Sequence, residues 1–81
     1  MEEVGEVTHY YARIGVAVVR LRASLSLGER ILIKGATTRL EQDVASMQIE
    51  HSDITRARAG QSIGIKVEGK VRAKDKVYRK P

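Results

Sequence analysis

The chain has no cysteine, no phenylalanine and no tryptophan, and its one proline is the last residue. Without cysteine there can be no disulfide framework, thiolate zinc site, iron–sulfur cluster or cysteine nucleophile, and the composition is compatible with a reducing compartment. Three tyrosines are the whole aromatic complement, too few for the rings that the common RNA-recognition fold places on neighbouring strands. Long apolar runs are missing as well. The stretch Ile14 to Val19, six residues, is the longest one free of charge and strong polarity, against the roughly 20 that a membrane helix requires. Met1-Glu2-Glu3 is acidic where a secretory signal carries lysine or arginine, and no apolar stretch of signal length follows. No membrane partner is expected, and the cytoplasm is the expected address.

What is present is an ordinary globular composition. Of 81 residues, 42% are apolar and 31% charged, which excludes a disordered chain and predicts one domain over residues 1–81. The net charge of +5 is unevenly spread. Residues 1–53 hold six basic and eight acidic residues, a balance of −2, whereas residues 54–81 hold nine basic and two acidic ones, a balance of +7. Clustered Lys and Arg reward phosphate neutralisation, so RNA is one reading of this third of the chain. A charged face kept for solubility is the other. The basic residues concerned are Arg56, Arg58, Lys66, Lys70, Arg72, Lys74 and Lys76. Lys70, Arg72, Lys74 and Lys76 share parity and would lie on one side wherever the chain is extended.

The hydrophobic pattern predicts strands. Ile63, Ile65 and Val67 alternate with Gly64, Lys66 and Glu68 within 61–68, a period of two. Residues 14–21 are rich in β-branched side chains, as in a strand covered on both sides or closed into a barrel. Residues 30–34 and 39–51 are further strands, the second long enough to bend, with 4–11 and 77–78 flanking them. Turn signals at 27–29, 34–36, 58–61 and 73–76 fall between these runs. The best helical window is 53–58, capped by Ser52 or Asp53 and only a turn or two long. Several short strands between turns predict a sandwich or barrel.

Catalytic and cofactor signatures are incomplete. Residues 64–71 imitate a nucleotide-binding loop, but Val71 stands where the magnesium-holding hydroxyl belongs, and the motif's interior is the alternating strand. No nucleotide binding and no cofactor is expected. His51-Ser52-Asp53 has the residue types of a hydrolytic triad, yet sequence neighbours do not converge as a triad must. His9 and His51 give no metal spacing. In His9-Tyr10-Tyr11, neighbouring side chains face opposite ways, so one ring is core and the other exposed. Tyr10 beside Arg13 is a candidate base-stacking platform, with packing at a barrel end as the structural alternative.

Four segments in order carry a resemblance. Residues 25–33 (LSLGERILI) resemble the turn and strand of the second domain of translational GTPases, and residues 58–65 (RAGQSIGI) resemble that domain's alanine–glycine segment. Residues 44–47 (VASM) and 74–77 (KDKV) fall where the family has its middle strand and closing turn. The match covers about residues 4–78 and is to one module of elongation factor Tu and its relatives; a similar domain is appended to some peptidases. The resemblance implies an all-β fold, a closed six- to seven-stranded antiparallel β-barrel over about residues 4–79. It also implies a translation role with tRNA or ribosomal RNA as partner. In the family's aminoacyl pocket, the matching positions here are Glu6, Thr8 and Ser62, with Val18 or Val19 at a family threonine, so that pocket is mostly not reproduced. The expectation is a non-enzymatic translation module binding RNA through Arg56, Arg58, Lys66, Lys70, Arg72, Lys74, Lys76, Tyr10 and Arg13. The alternative is a protein-interaction barrel docking on an enzyme or translation factor.

Overall fold

The computed structural model describes residues Met1–Pro81 and is all-β, with antiparallel pairing throughout. Ten strands form: β1 (Glu2–Tyr11), β2 (Val16–Leu21), β3 (Leu25–Ser26), β4 (Arg30–Lys34), β5 (Arg39–Asp43), β6 (Met47–Ile49), β7 (Ser52–Ile54), β8 (Arg56–Ala57), β9 (Ser62–Lys66) and β10 (Lys76–Arg79). Eight of them make one sheet in the order β5-β4-β10-β1-β2-β9-β6-β7, and β3 pairs with β8 alone. No helix of the structure is long and apolar enough to cross a membrane.

Both faces of this sheet cannot be dry, because the alternation in β2 and β9 buries Ala17, Val19, Leu21, Ile63 and Ile65 and turns Val16, Val18, Arg20 and Lys66 outward. The inward set from both sheets forms a single cluster of 16 buried residues, including Val4, Val7, Leu25, Ile31, Ile33, Met47 and Val77. One core fed by every long strand requires the sheet to roll around it. The roll is not closed by a ladder, since β5 and β7 are edges that do not pair. The antiparallel all-β expectation holds, and between β5 and β7 the curled sheet has a seam in place of a closing ladder.

Two devices span that seam. At one end, the Leu27 amide donates to the Thr55 carbonyl (3.0 Å), the Gly28 amide to Val44 (2.9 Å) and the Val44 amide to Glu29 (2.9 Å). At the other, Gln42 of β5, only 2% exposed, reaches across the interior: its Nε2 donates to the Lys66 carbonyl (2.9 Å) and its Oε1 accepts from the Glu68 amide (2.8 Å). A side-chain amide here substitutes for a missing rung of strand pairing.

Two local expectations are corrected, and the first strand carries bulges. Residues 53–58 are extended, in β7 and β8, with no helix; packing of Ile54 and Ala57 on the core outweighs weak local helix preference. The long run 39–51 divides into β5 and β6, and Glu50 and His51 turn the chain into β7 with φ of 49° and 67°. Positive φ at both central residues is the two-residue hairpin turn whose twist matches the strands, but neither residue is the glycine or asparagine that signals it. In β1, register shifts between Glu3 and Gly5 and between Val7 and His9 mark bulges, which reset which face each later side chain occupies.

Candidate functional site

The bulge near Thr8 leaves Tyr10 packed against the core and puts His9 and Tyr11 together on the outer face. Their rings stack with centroids 6.2 Å apart and planes within 10°. Tyr11 is 51% and Ile14 61% exposed. Tyr10, the expected stacking platform, is half-buried against the core and Tyr11 is the more exposed ring, because the bulge shifts the alternation by one residue.

Tyr11 and Ile14 wall a surface groove of about 410 Å³ that runs along the outer face of β2 and β9. Val16 and Val18 form one side and Gln48 the other, while Gly64 is its floor. Gly64 lies opposite Val18 on β2 and Gln48 on β6. A Cβ there would come within 3.3 Å of the Val16 side chain, so the missing side chain keeps the floor low. Gln48 Nε2 is oriented by Asp53 Oδ1 (2.9 Å). Because β6 runs antiparallel to β9 from the Met47–Ile65 pair, the Glu50–His51 turn closes the groove at its Ser62 end. Of the positions matched to the family pocket, Ser62 and Val18 line this groove, and Thr8 Oγ1 donates to the Val18 carbonyl (3.3 Å). Glu6 lies apart from it, accepting a hydrogen bond from Lys76 Nζ (2.8 Å). That hydrogen bond, ahead of the Coulomb attraction itself, holds the Glu6 carboxyl below its ordinary value and the Lys76 ammonium above its own.

The basic residues do not form one strip. Residues 72–75 make a turn in which the buried Asp75 carboxylate accepts from the Arg72 amide (2.8 Å) and Lys74 takes φ of 78°. The parity expected of Lys70, Arg72, Lys74 and Lys76 fails here, since the chain is not extended. Lys76 sits on β10, tied to Glu6. Arg56 and Arg58 belong to the opposite end of the domain, where the Gly60 amide donates to Leu21 (2.8 Å) and Arg56 pairs with Ser26.

Charge is instead sorted by end. One end gathers the connections 12–15, 34–39 and 66–75: the Val67 amide donates to Gly15 (2.8 Å), Gly35 abuts Asp75, Gly69 abuts Leu40, and Lys34 pairs with both Arg39 and Lys76. Gly35 is required there, because any Cβ would collide with the Asp75 carboxylate. This end presents Arg13, then Lys34 and Arg39, then Lys66, Lys70, Arg72 and Lys74, all exposed and none within 4.0 Å of a carboxylate. The opposite end carries the ion pairs: Arg22 with Glu3 (3.5 Å), Arg79 with Glu2 (3.2 Å) and Glu29, Arg30 with Glu41 and Asp43 (both 3.1 Å), and Lys80 with Glu41 (2.9 Å). Hydrogen bonds from Lys80 and then Arg30 hold the Glu41 carboxyl below its ordinary value, and those to Asp43 and Glu41 raise Arg30.

Sequence reasoning reached only Val18 and Ser62 of the groove, through the family pocket. Ile14, Val16, Gln48 and Glu50 carry no motif, and they become neighbours of Gly64 only through the β2–β9–β6 register. No grouping of three or more His, Cys, Asp or Glu side chains suited to a metal is present.

No protein-family model matches the chain. Among curated proteins it is similar to an uncharacterised protease of Methanocaldococcus jannaschii, 42% identical over 77 residues that make up 94% of this chain and 19% of that protein. It is also similar to a collagenase of Porphyromonas gingivalis, 38% identical over 78 residues, 94% of this chain and 22% of that one. The chain therefore spans about a fifth of the length of these relatives. Among solved structures, the C-terminal domain of a Geobacillus thermoleovorans protein assigned to the U32 peptidases superposes with a TM-score of 0.92 at 20% identity, over 99% of this chain and 93% of that one. Its selenomethionine variant gives 0.91 at 21%, over 96% and 99%. These findings overturn the expectation of a non-enzymatic translation module that binds RNA and resembles elongation factor Tu. The sequence likeness is to a segment of proteins named protease and collagenase, and the likeness in fold is to a U32 peptidase C-terminal domain.

Proposed function

We propose that this chain is the polypeptide-binding β-domain of a peptidase-type protein, holding an extended stretch of substrate in the groove between Tyr11, Ile14 and the Glu50–His51 turn. The observation that carries this is the exposed Tyr11–Ile14 pair beside a glycine floor, an apolar slot with Gln48 and Ser62 as hydrogen-bonding flanks. Apolar anchors flanked by a few placed polar groups are the chemistry by which grooves hold peptide segments. The names protease and collagenase of its relatives give the reading its substrate class, polypeptide. In this reading residues 4–79 work as one rigid barrel, the seam kept shut by Gln42 and the Leu27–Glu29 rungs. The cysteine-free composition favours the cytoplasm as its place of work.

The test is an NMR titration of the domain with a neutral nonapeptide carrying one central leucine. Amide shifts should concentrate at Tyr11, Ile14, Ser62 and Gly64. Ile14→Ser should weaken binding about 10- to 100-fold, the equivalent of about 1.5–3 kcal/mol for one lost apolar anchor. Absence of groove shifts at millimolar peptide would overturn the reading.

A further inference from the structure

The groove is open at its Tyr11–Ile14 end onto the cationic end of the domain. Arg13 lies between the two apolar anchors in sequence, and Lys66 stands on β9 one outward position beyond the Gly64 floor, opposite Val16. Beyond Lys66, the 66–75 connection adds Lys70, Arg72 and Lys74, all exposed and unpaired. At the far end of the groove Glu50 is the only carboxylate in its lining, and the exposed Arg20 stands opposite Ser62 there, so the charge is mixed. The same connection carries the exposed Glu68, but the seven cations of this end outnumber it and lie in no ion pair, so an anionic partner gains there without first breaking one.

Resting on the polypeptide-binding reading, we propose that this domain selects acidic polypeptides, with an apolar residue seated on the Gly64 floor and the adjoining run of Asp or Glu laid over Lys66, Lys70, Arg72 and Lys74. A folded-over polyanion such as single-stranded RNA would also meet the charge, but it calls for open aromatic faces on which bases stack. Here Tyr11 already has one face against His9, and Tyr10 is packed on the core. What the surface offers beside its cations is aliphatic, Ile14, Val16 and Val18, which suits a side-chain anchor. The order of features also gives the bound segment a direction, with acidic residues on the Arg13 side.

The experiment uses fluorescence anisotropy with labelled nonapeptides that share a central leucine and carry four Glu, four Gln or four Lys on one flank, together with a labelled uridine dodecamer. At about 50 mM salt the Glu peptide should bind about tenfold more tightly than the Gln peptide, and the Lys peptide more weakly than both. The advantage should shrink to a few-fold near 300 mM as screening shortens the reach of the charges. The triple variant Lys70→Gln, Arg72→Gln, Lys74→Gln should cut the preference to about two- to threefold, the remainder coming from Lys66 and Arg13, and leave Gln-peptide affinity unchanged. Ile14→Ser should weaken the Glu and Gln peptides alike, and thermal unfolding of both variants should match the parent, since all four positions are exposed. Equal binding of Glu and Gln peptides would overturn the acidic preference while leaving the groove reading standing. Failure of every peptide would overturn both. Tighter binding of the dodecamer than of the Glu peptide, lost in the triple variant, would assign this end to nucleic acid and overturn the proposal.

Discussion

Gln42 offers a test of how the sheet is held in its roll, because one side chain carries the interior polar contacts between β5 and the chain leaving β9. Its amide satisfies the Lys66 carbonyl and the Glu68 amide at 2.9 and 2.8 Å, with a longer contact to the Asp43 carbonyl at 3.3 Å. Gln42→Ala removes both partners and opens a void beneath a residue that is 2% exposed. Each backbone group left without a partner costs about 1–3 kcal/mol when water does not reach it, so a loss of about 2–4 kcal/mol is expected. For a domain of this size that corresponds to a fall in Tm of roughly 8–30 °C. Gln42→Glu sharpens the test, since it keeps the shape but cannot donate to the Lys66 carbonyl when ionised, and it buries a charge. Its carboxyl should titrate above the ordinary range in the folded state. A raised folded pKa means that stability is fully present below the unfolded value near 4.3 and is lost as pH rises through the folded value. Gln42→Glu should therefore be most stable in mild acid and weakest at neutral pH. Thermal unfolding followed by circular dichroism between pH 4 and 7.5 reads both variants. A Gln42→Ala protein within about 0.5 kcal/mol of the parent, together with a pH-independent Gln42→Glu penalty, would refute the seam argument.

The parent protein should show the opposite trend. Glu6 and Glu41 are held below their ordinary values by Lys76 and by Lys80 with Arg30, so the stability they contribute is present above the unfolded value and is lost as pH falls through the folded one. Melting temperature should decline on acidification below about pH 4.5, less steeply in 0.5 M salt, and Glu6→Gln should flatten part of that decline; an acid limb unchanged in Glu6→Gln would remove this pair as its cause. The Glu50–His51 turn holds two side chains in the left-handed region, at a cost of about 1 kcal/mol each. Replacing the pair with Asn-Gly should raise stability by about 1–2 kcal/mol in chemical denaturation, and a neutral or negative result would contradict the turn geometry.

Much of the strand content was legible locally. The alternation of Ile63, Ile65 and Val67 names its own buried face, and the turns at 27–29, 34–36 and 58–61 fall where the chain reverses. The helix expected over 53–58 fails because short-range propensity is weak beside the burial of Ala57 and the pairing of Arg56 with Ser26. The Glu50–His51 reversal is invisible because turn chemistry is read from glycine and asparagine, and neither is there. Family resemblance led to translation factors, whereas the relatives are named protease and collagenase; a shared roll of strands is compatible with many sites.

The sequence alone determines the all-β character, the excess of positive charge and the absence of thiol chemistry, because these follow from composition and from a period of two that each strand carries within itself. Tertiary structure alone decides which cations stand together, which tyrosine is exposed, and that Gly64 becomes the floor of a groove. Those properties belong to register and bulges. A shift of one residue at Thr8 exchanges the faces of His9, Tyr10 and Tyr11, and only packing against one core selects which shift occurs.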